Sequence, residues 1–276
     1  MRYYKASFTL PEGNADILIA FLGEAGFEMF EEAGSQVAAY FPAEGTTEAE
    51  VASAIRTVPE AFTGNDWMIS LTEDRNWNEE WEKSFSPVEI AGKVVIRAPF
   101  HAPIVGDEMI ELIIEPKMSF GTGHHPTTAL MVEAMMGYPF KDLKVLDMGC
   151  GSGLLAILAE KLGSSDLSAI DIDDWSVENS LENVARNGCA KITVAKGNAS
   201  SLSGTDFDII LANINRNILL QDLPRYVQSL RPGGRLFMSG FLQDDRKILV
   251  ESAGAYGLKE EKSLVNGQWT MLVFLK

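Results

Sequence analysis

The chain has 276 residues, 46% of them apolar, and a formal charge of −16, enough material for one large α/β domain beside a smaller one. No stretch approaches the ~18 continuous apolar residues of a membrane span and the start, MRYYKASFTL, has no apolar leader core, so no membrane attachment and a cytoplasmic location are expected. The acidic balance argues against broad nucleic-acid binding, which depends on Lys and Arg neutralising phosphates, and favours a basic protein partner. Two cysteines, Cys150 and Cys189, offer neither a disulfide framework nor metal-ligand spacing and read as plain thiols.

Taken in order, residues 1–73 alternate short β-like and helical patterns: RYYKASFTL, a helical PEGNADILIAFLGEAG, FEMFEE, QVAAYFP, a helical TTEAEVASAIRTV and DWMISLTED. That βαββαβ order predicts a small α+β domain of ferredoxin-like type. Residues 1–60 hold ten Asp or Glu against three Lys or Arg and show no catalytic constellation. Their acidity suits a solvated face or a recognition module for a basic partner. Residues 74–85, DRNWNEEWEKSF, place Trp77 and Trp81 four apart on one face of a short helix, which predicts a helical linker. SPVEIAGKVVIRAPF follows as short strands with a turn at Ala91-Gly92.

From residue 86 to 276 the alternation is long and regular. Strand-like LKVLDM, DLSAID, KITVAK, FDIILAN and RLFMSG are separated by helical GLLAILAEKLG, WSVENSLENVARNG and NILLQDLPRYVQSL, with RPGG read as a turn. This predicts a doubly wound, mostly parallel sheet. The last run has Asn266-Gly267 between two β-like segments, so the sheet should close with an antiparallel hairpin.

Four places carry chemistry. FGTGHHPTTAL, residues 120–130, packs Gly121, Gly123, three threonines and two histidines ahead of a helix with Pro126 in its first turn. His124 and His125 lack accompanying ligands at metal spacing, so no metal site is expected; hydrogen bonding within the loop is their simplest role, with His125 as general base the alternative. LKVLDMGCGSG, residues 143–153, ends an apolar strand at Asp147 and alternates Gly149, Gly151 and Gly153 before a helix, so a strand end and a helix start converge on one ligand. Asp171 ends the second strand of the sheet, where a carboxylate accepts from ribose hydroxyls; helix capping falls more naturally to Asp173 or Asp174. Asn213 ends the fourth strand on the same side, suited to orienting an amine, touching a cofactor or capping the next helix.

The glycine segment supports two cofactors. Gly151-Ser-Gly153-Leu-Leu-Ala156 with Asp171 about twenty residues on meets the dinucleotide fingerprint of an NAD-dependent oxidoreductase. The longer D-x-G-x-G-x-G form beginning at Asp147 resembles the first motif of class I S-adenosylmethionine-dependent methyltransferases. A non-catalytic module that binds S-adenosylmethionine, and a small-molecule methyltransferase, are further alternatives.

With WNEEWEKSFSPVEI, FGTGHHPTTAL, LDMGCGSGLLAI plus AIDID, and FDIILANI followed by LRPGGRLFMSG in view, nearly the whole chain resembles the ribosomal protein L-eleven methyltransferase family. The resemblance implies a ferredoxin-like domain that recognises the target, a helical linker and a Rossmann-like catalytic domain. It also implies S-adenosylmethionine-dependent methylation of lysine ε-amines and the N-terminal α-amine of that ribosomal protein. Carried over motif by motif, the cofactor residues are Thr128, Gly149, Asp171 and Asn213. Asp147, Gly151 and Gly153 of the glycine motif and Phe120 and Thr122 of the FGTG stretch join the same candidate site. Asn213 is also the candidate catalytic residue, orienting the amine lone pair.

Overall fold

The computed structural model describes residues 2–9, 15–33, 36–63, 67–72, 86–103, 109–117, 121–202 and 206–276. The expected linker helix with Trp77 and Trp81, and Phe120, lie outside the described residues. The chain divides into two compact units, Met1–Ser84 and Phe85–Lys276.

The first unit runs β1 (Tyr3–Thr9), α1 (Ala15–Glu24), β2 (Met29–Ala33), β3 (Gln36–Pro42), α2 (Glu48–Ile55), a single turn α3 (Glu60–Thr63) and β4 (Met68–Leu71). Its strands pair antiparallel in the order β2-β3-β1-β4, the ferredoxin-like arrangement. Alternation puts Ala6 and Phe8 of β1 and Val37 and Ala39 of β3 on one face, where Leu18 and Leu22 of α1 and Val51 and Ile55 of α2 cover them. Helix α2 starts with a capping contact: the Glu50 carboxylate accepts the Thr47 backbone N–H at 2.8 Å.

The second unit begins with a three-stranded sheet of β5 (Val88–Ile90), β6 (Val94–Arg97) and β7 (Ile110–Ile113). The expected turn joins β5 to β6, with Ala91 at φ 54° and Gly92 at φ 63°. Then come α4 (Pro126–Met135), β8 (Lys144–Met148), α5 (Leu154–Lys161), β9 (Asp166–Asp171), α6 (Asp174–Arg186), β10 (Ile192–Lys196), β11 (Phe207–Asn213), α7 (Arg216–Ser229), β12 (Leu230–Leu242), α8 (Arg246–Ala255), β13 (Lys259–Asn266) and β14 (Trp269–Leu275).

Seven strands line up as β10-β9-β8-β11-β12-β14-β13, parallel through β12 and antiparallel over the terminal hairpin. The first strands run outward from β8 and the chain then returns to β11 on the other side of it, so the sheet reverses direction between β8 and β11. Alternate residues of the central strands feed two cores. Val145, Ile209, Leu211 and Phe237 pack with α4 and α5, while Leu146, Ile210, Ala212 and Leu236 pack with α7 and α8. Burial on both faces explains why β11 is almost uninterrupted apolar sequence.

Beyond β7 and the single turn α3, for which the sequence reading has no counterpart, two further features depart from it. The RPGG stretch forms no terminal turn; it is a bulge inside β12, since Phe207 pairs with Leu230 but Ile209 already pairs with Arg235. Helix α8 was not foreseen, because Ile248 is exposed and only Leu249 and Ala253 are fully buried.

Candidate functional site

Parallel strands that reverse direction leave a crevice beyond their C-terminal ends, and the sequence loads that edge with small and polar residues. A cavity of about 740 Å³ opens there, walled by Gly149 and Gly151 after β8, Asp171 and Ile172 after β9, Asn198 and Ser200 after β10, and Asn213 and Ile214 after β11. His125, Ile218, Asp222, Gly240 and Trp269 complete the wall.

The glycine loop is tightly folded. The N–H groups of Gly149 and Cys150 both donate to the Ile170 carbonyl at 2.8 and 3.1 Å, and Gly153 N–H donates to the Cys150 carbonyl at 2.8 Å. Gly149 has φ 71°, and a Cβ on it would lie 2.3 Å from Ile214 Cγ2. Gly240, at the end of β12, is equally constrained: its Cβ would sit 2.3 Å from the Ile214 carbonyl oxygen. Ile214 is therefore held between two positions where only hydrogen fits, and the cavity floor depends on both glycines.

Asp171 is oriented by backbone. Its Oδ2 accepts from Gly151 N–H at 2.9 Å and its Oδ1 from Asp173 N–H at 3.0 Å, so each oxygen keeps lone-pair capacity for a further donor. Helix capping falls to Asp173, which accepts from Trp175 N–H at 3.2 Å. The next helix repeats the pattern: Asn215 caps α7 by accepting from Ile218 N–H at 3.2 Å, leaving Asn213 out of that task. Asn213 Nδ2 stands 3.5 Å from Thr128 Oγ1, and its Oδ1 is buried without a hydrogen-bond partner among the described residues.

The other candidates take different places. Thr128 is buried in the first turn of α4, behind Asn213 rather than in the wall. Asp147 lies beneath the glycine loop, 1% exposed, with Oδ2 accepting from Ala156 N–H at 3.0 Å. Burial pushes its carboxyl pKa up to about 7, with the Ala156 N–H opposing the shift and the Asp171 charge adding to it. Gly153, at φ 78°, serves as N-cap of α5. Thr122 Oγ1 meets His124 Nδ1 at 3.4 Å, and His124 Nε2 reaches the Ser86 carbonyl at 3.0 Å. The FGTG stretch is fastened to the glycine loop through Ser152, whose hydroxyl donates to the Gly121 carbonyl at 2.6 Å.

His125 makes the hydrogen bonds within the loop that the sequence leads one to expect, and it also reaches the cavity wall. Its Nδ1 contacts Thr127 Oγ1 at 2.7 Å and caps α4, and its ring packs edge-on against Trp269 at 4.6 Å on the cavity wall. Burial lowers its pKa from the ordinary histidine value, so the ring is neutral near pH 7. Cys150 also stays protonated, because burial raises its thiol pKa strongly. Among the described residues, no three His, Cys, Asp or Glu side chains gather as a metal site.

Sequence reasoning missed Asn198, Ser200, Asp222 and Trp269 as wall residues. A signal existed for the first two, since Gly197-Asn-Ala-Ser directly follows a strand at the edge where the glycine loop lies. Asp222 reaches the wall from the second turn of α7, with burial raising its carboxyl pKa and Tyr226 donating to it at 3.4 Å. Trp269 arrives only because β14 inserts next to β12.

Comparison with known proteins bears directly on this arrangement. The family model described as Ribosomal protein L11 methyltransferase (PrmA) matches residues 19–276. A protein of that name from Porphyromonas gingivalis is 46% identical over 265 residues, covering 94% of this chain and 90% of its own length. One from Bacteroides fragilis is 40% identical over 280 residues and covers both chains completely. The crystal structure of ribosomal protein L11 methylase from Lactobacillus delbrueckii subsp. bulgaricus superposes with a TM-score of 0.65 at 28% identity, over 69% of this chain and 98% of that one. Matched along nearly its whole length by both the family model and these relatives, the chain belongs to the ribosomal protein L11 methyltransferase family.

Proposed function

We propose that the protein transfers methyl groups from S-adenosylmethionine to amino groups of ribosomal protein L11, both lysine ε-amines and the N-terminal α-amine, in the cytoplasm. The observation that carries this reading is the buried Oδ1 of Asn213, without a hydrogen-bond partner among the described residues, on the wall of a cavity built from Gly149, Gly151 and Asp171. The cavity's volume lies within the usual range for cofactor sites, roughly 300–1,000 Å³. The residues suit the cofactor. Asp171 keeps acceptor capacity for two ribose hydroxyls, Gly149 and Gly151 present backbone without side chains, and Asn198 and Ser200 supply polar groups on the β10 side. Thr128 supports Asn213 from behind, and Asp147 and Gly153 hold the glycine loop's shape.

The cofactor supplies an activated methyl group on a sulfonium. What the protein must add is positioning and a neutral amine. Asn213 Oδ1 is an acceptor that gains a partner when an amine N–H points at it, and this turns the nitrogen lone pair toward the cofactor side of the cavity. Neutral His125 and Trp269 line the same wall without placing a positive charge against the incoming amine. Deprotonation is the larger barrier. A lysine of ordinary pKa needs about 4–5 kcal/mol to be neutral at pH 7, an α-amine only about 1 kcal/mol. Among the described residues no side chain stands out as a strong base, and solvent or the carbonyls on the cofactor side are the proposed proton acceptors. The acidic N-terminal unit is the proposed recognition module for the basic partner.

The test is mass spectrometry of purified ribosomal protein L11 after incubation with the enzyme and S-adenosylmethionine. Methyl increments mapped to lysines and the α-amine are expected. Cofactor binding without any increment would overturn the proposed substrate and favour the non-catalytic alternative.

A further inference from the structure

Helix α6 is built the wrong way round for a helix that simply covers a sheet. Its fully buried face carries Asn179, Ser180 and Asn183, while Trp175 and Leu181 are 70% and 50% exposed. Burying amides and hydroxyls is costly unless each polar atom finds a partner, and an apolar face would have served packing better. The partners show what the polar face is for.

Asn183 uses its entire hydrogen-bonding capacity. Its Nδ2 donates to the Ser152 carbonyl and to Asn179 Oδ1, each at 3.0 Å. Its Oδ1 accepts from Glu115 N–H at 2.9 Å and from Arg186 at 3.3 Å. One turn earlier, the Ser180 hydroxyl donates to the Gly151 carbonyl at 2.8 Å and lies 3.3 Å from Cys150 Sγ. Gly151 is the residue whose N–H holds Asp171. The two peptide units that flank the Gly151 Cα are therefore held from opposite ends, the carbonyl of one by Ser180, which also touches Cys150, and the N–H of the other by the Asp171 carboxylate. Gly151 has φ 55° and no side chain, so nothing within the residue itself fixes the direction of its peptide planes.

We infer that Ser180 and Asn183 are positioning residues for the cofactor loop: α6 holds the Gly151 and Ser152 carbonyls from behind so that Gly151 N–H keeps Asp171 aimed into the cavity. This rests on the cofactor reading above. The Ser152 end of the clamp also reaches the FGTG stretch through Gly121, and Asn183 reaches Glu115, so two further segments of the chain share one anchor with the glycine loop.

The experiment is calorimetric titration of S-adenosylmethionine and S-adenosylhomocysteine into the wild-type protein and into Ser180→Ala, Ser180→Thr and Leu181→Ala, with urea unfolding of each ligand-free protein. Loss of one buried hydrogen bond to the loop should raise both dissociation constants about tenfold in Ser180→Ala. Restoring a hydroxyl in Ser180→Thr should recover most of that, Leu181→Ala on the exposed face should bind as wild type, and kcat at saturating cofactor should stay within about twofold of wild type. If Ser180→Ala unfolds more readily yet binds with unchanged affinity, Ser180 is only structural and the inference fails. Unchanged affinity with a lowered kcat overturns it as well. Failure of the wild type to bind either ligand would overturn the cofactor reading and this inference together.

Discussion

Gly149→Ala tests the architecture of the site at its most crowded point. Two contributions add. A residue with a Cβ at φ 71° sits in the left-handed region, which costs about 1–2 kcal/mol for a non-glycine residue. The new Cβ also lies 2.3 Å from Ile214 Cγ2, a branch methyl fixed at the stiff β-carbon. The backbone of Ile214 cannot retreat, because it is held close to Gly240 on the other side. Overpacking of this kind costs about 1–3 kcal/mol, so the total loss should be about 2–5 kcal/mol, a large share of a typical domain stability of 5–15 kcal/mol. Because relief requires the glycine loop to move, cofactor affinity should fall at least ~10-fold. The two contributions separate in a double-mutant cycle with Ile214→Ala, which removes the clash but leaves the backbone strain. A coupling of about 1–2 kcal/mol toward rescue in urea unfolding is expected, with part of the cofactor affinity restored in calorimetry. A Gly149→Ala protein with wild-type stability and affinity would refute the reasoning outright. Zero coupling would show that Ile214 is not the obstacle.

Asn213→Ala should lower kcat at saturating cofactor about 10²-fold while leaving the cofactor dissociation constant within a few-fold, measured by methyl incorporation and calorimetry; near-normal turnover would remove Asn213 from the chemistry. Methylation of lysines should rise about tenfold per pH unit between pH 7 and 9, because the neutral fraction of an amine with pKa near 10.4 rises in that proportion, whereas the α-amine should level off above pH 8. A flat lysine profile would mean that a protein group takes the proton after all. Asp147, with its carboxyl pushed up to about 7, binds its proton more tightly folded than unfolded, so its own contribution to ligand-free stability is fully present below about pH 4 and is lost as pH rises through about 7. Asp147→Asn keeps an oxygen for Ala156 N–H and should flatten that fall and raise Tm at pH 8; a lower Tm there would contradict the assigned cause.

Much of this was legible in the sequence because the informative signals are local. Alternation in RYYKASFTL and QVAAYFP, continuous apolar character in FDIILAN, and the Asn266-Gly267 turn each report on a few consecutive residues, and all appear where expected. The glycine loop was legible for the same reason. What escaped depends on which element lies beside which. Trp269 becomes a cavity residue only through the insertion of β14, and Asp222 only through the pitch of α7. The buried polar face of α6 runs against the usual rule, so a periodicity reading turns Val177, Leu181 and Val184 inward, whereas Leu181 is half exposed. The RPGG bulge was hidden differently: its residues are turn formers, and only the register between β11 and β12 reveals that the strand continues through them.

The buried polar face of α6 belongs with the pattern of unsatisfied groups. Three buried side-chain oxygens lack a hydrogen-bond partner among the described residues: Asp147 Oδ1, Asp208 Oδ1 and Asn213 Oδ1. Asp208 stands at the far end of β11, where Arg231 forms an ion pair with that oxygen, so its charge is compensated. The two left uncompensated lie under and beside the cavity. Among the described residues the other buried side-chain polar atoms are paired, as Asn183 shows, so the imperfect pairing at the strand ends is local. An unpaired buried acceptor costs about 1–3 kcal/mol. Asp147 relieves its share by holding a proton, whereas an amide oxygen has no such option. Asn213 Oδ1 stands on the cavity wall without a partner among the described residues, and in the proposed reading it meets the one substrate group, an amine N–H, that the reaction has to orient.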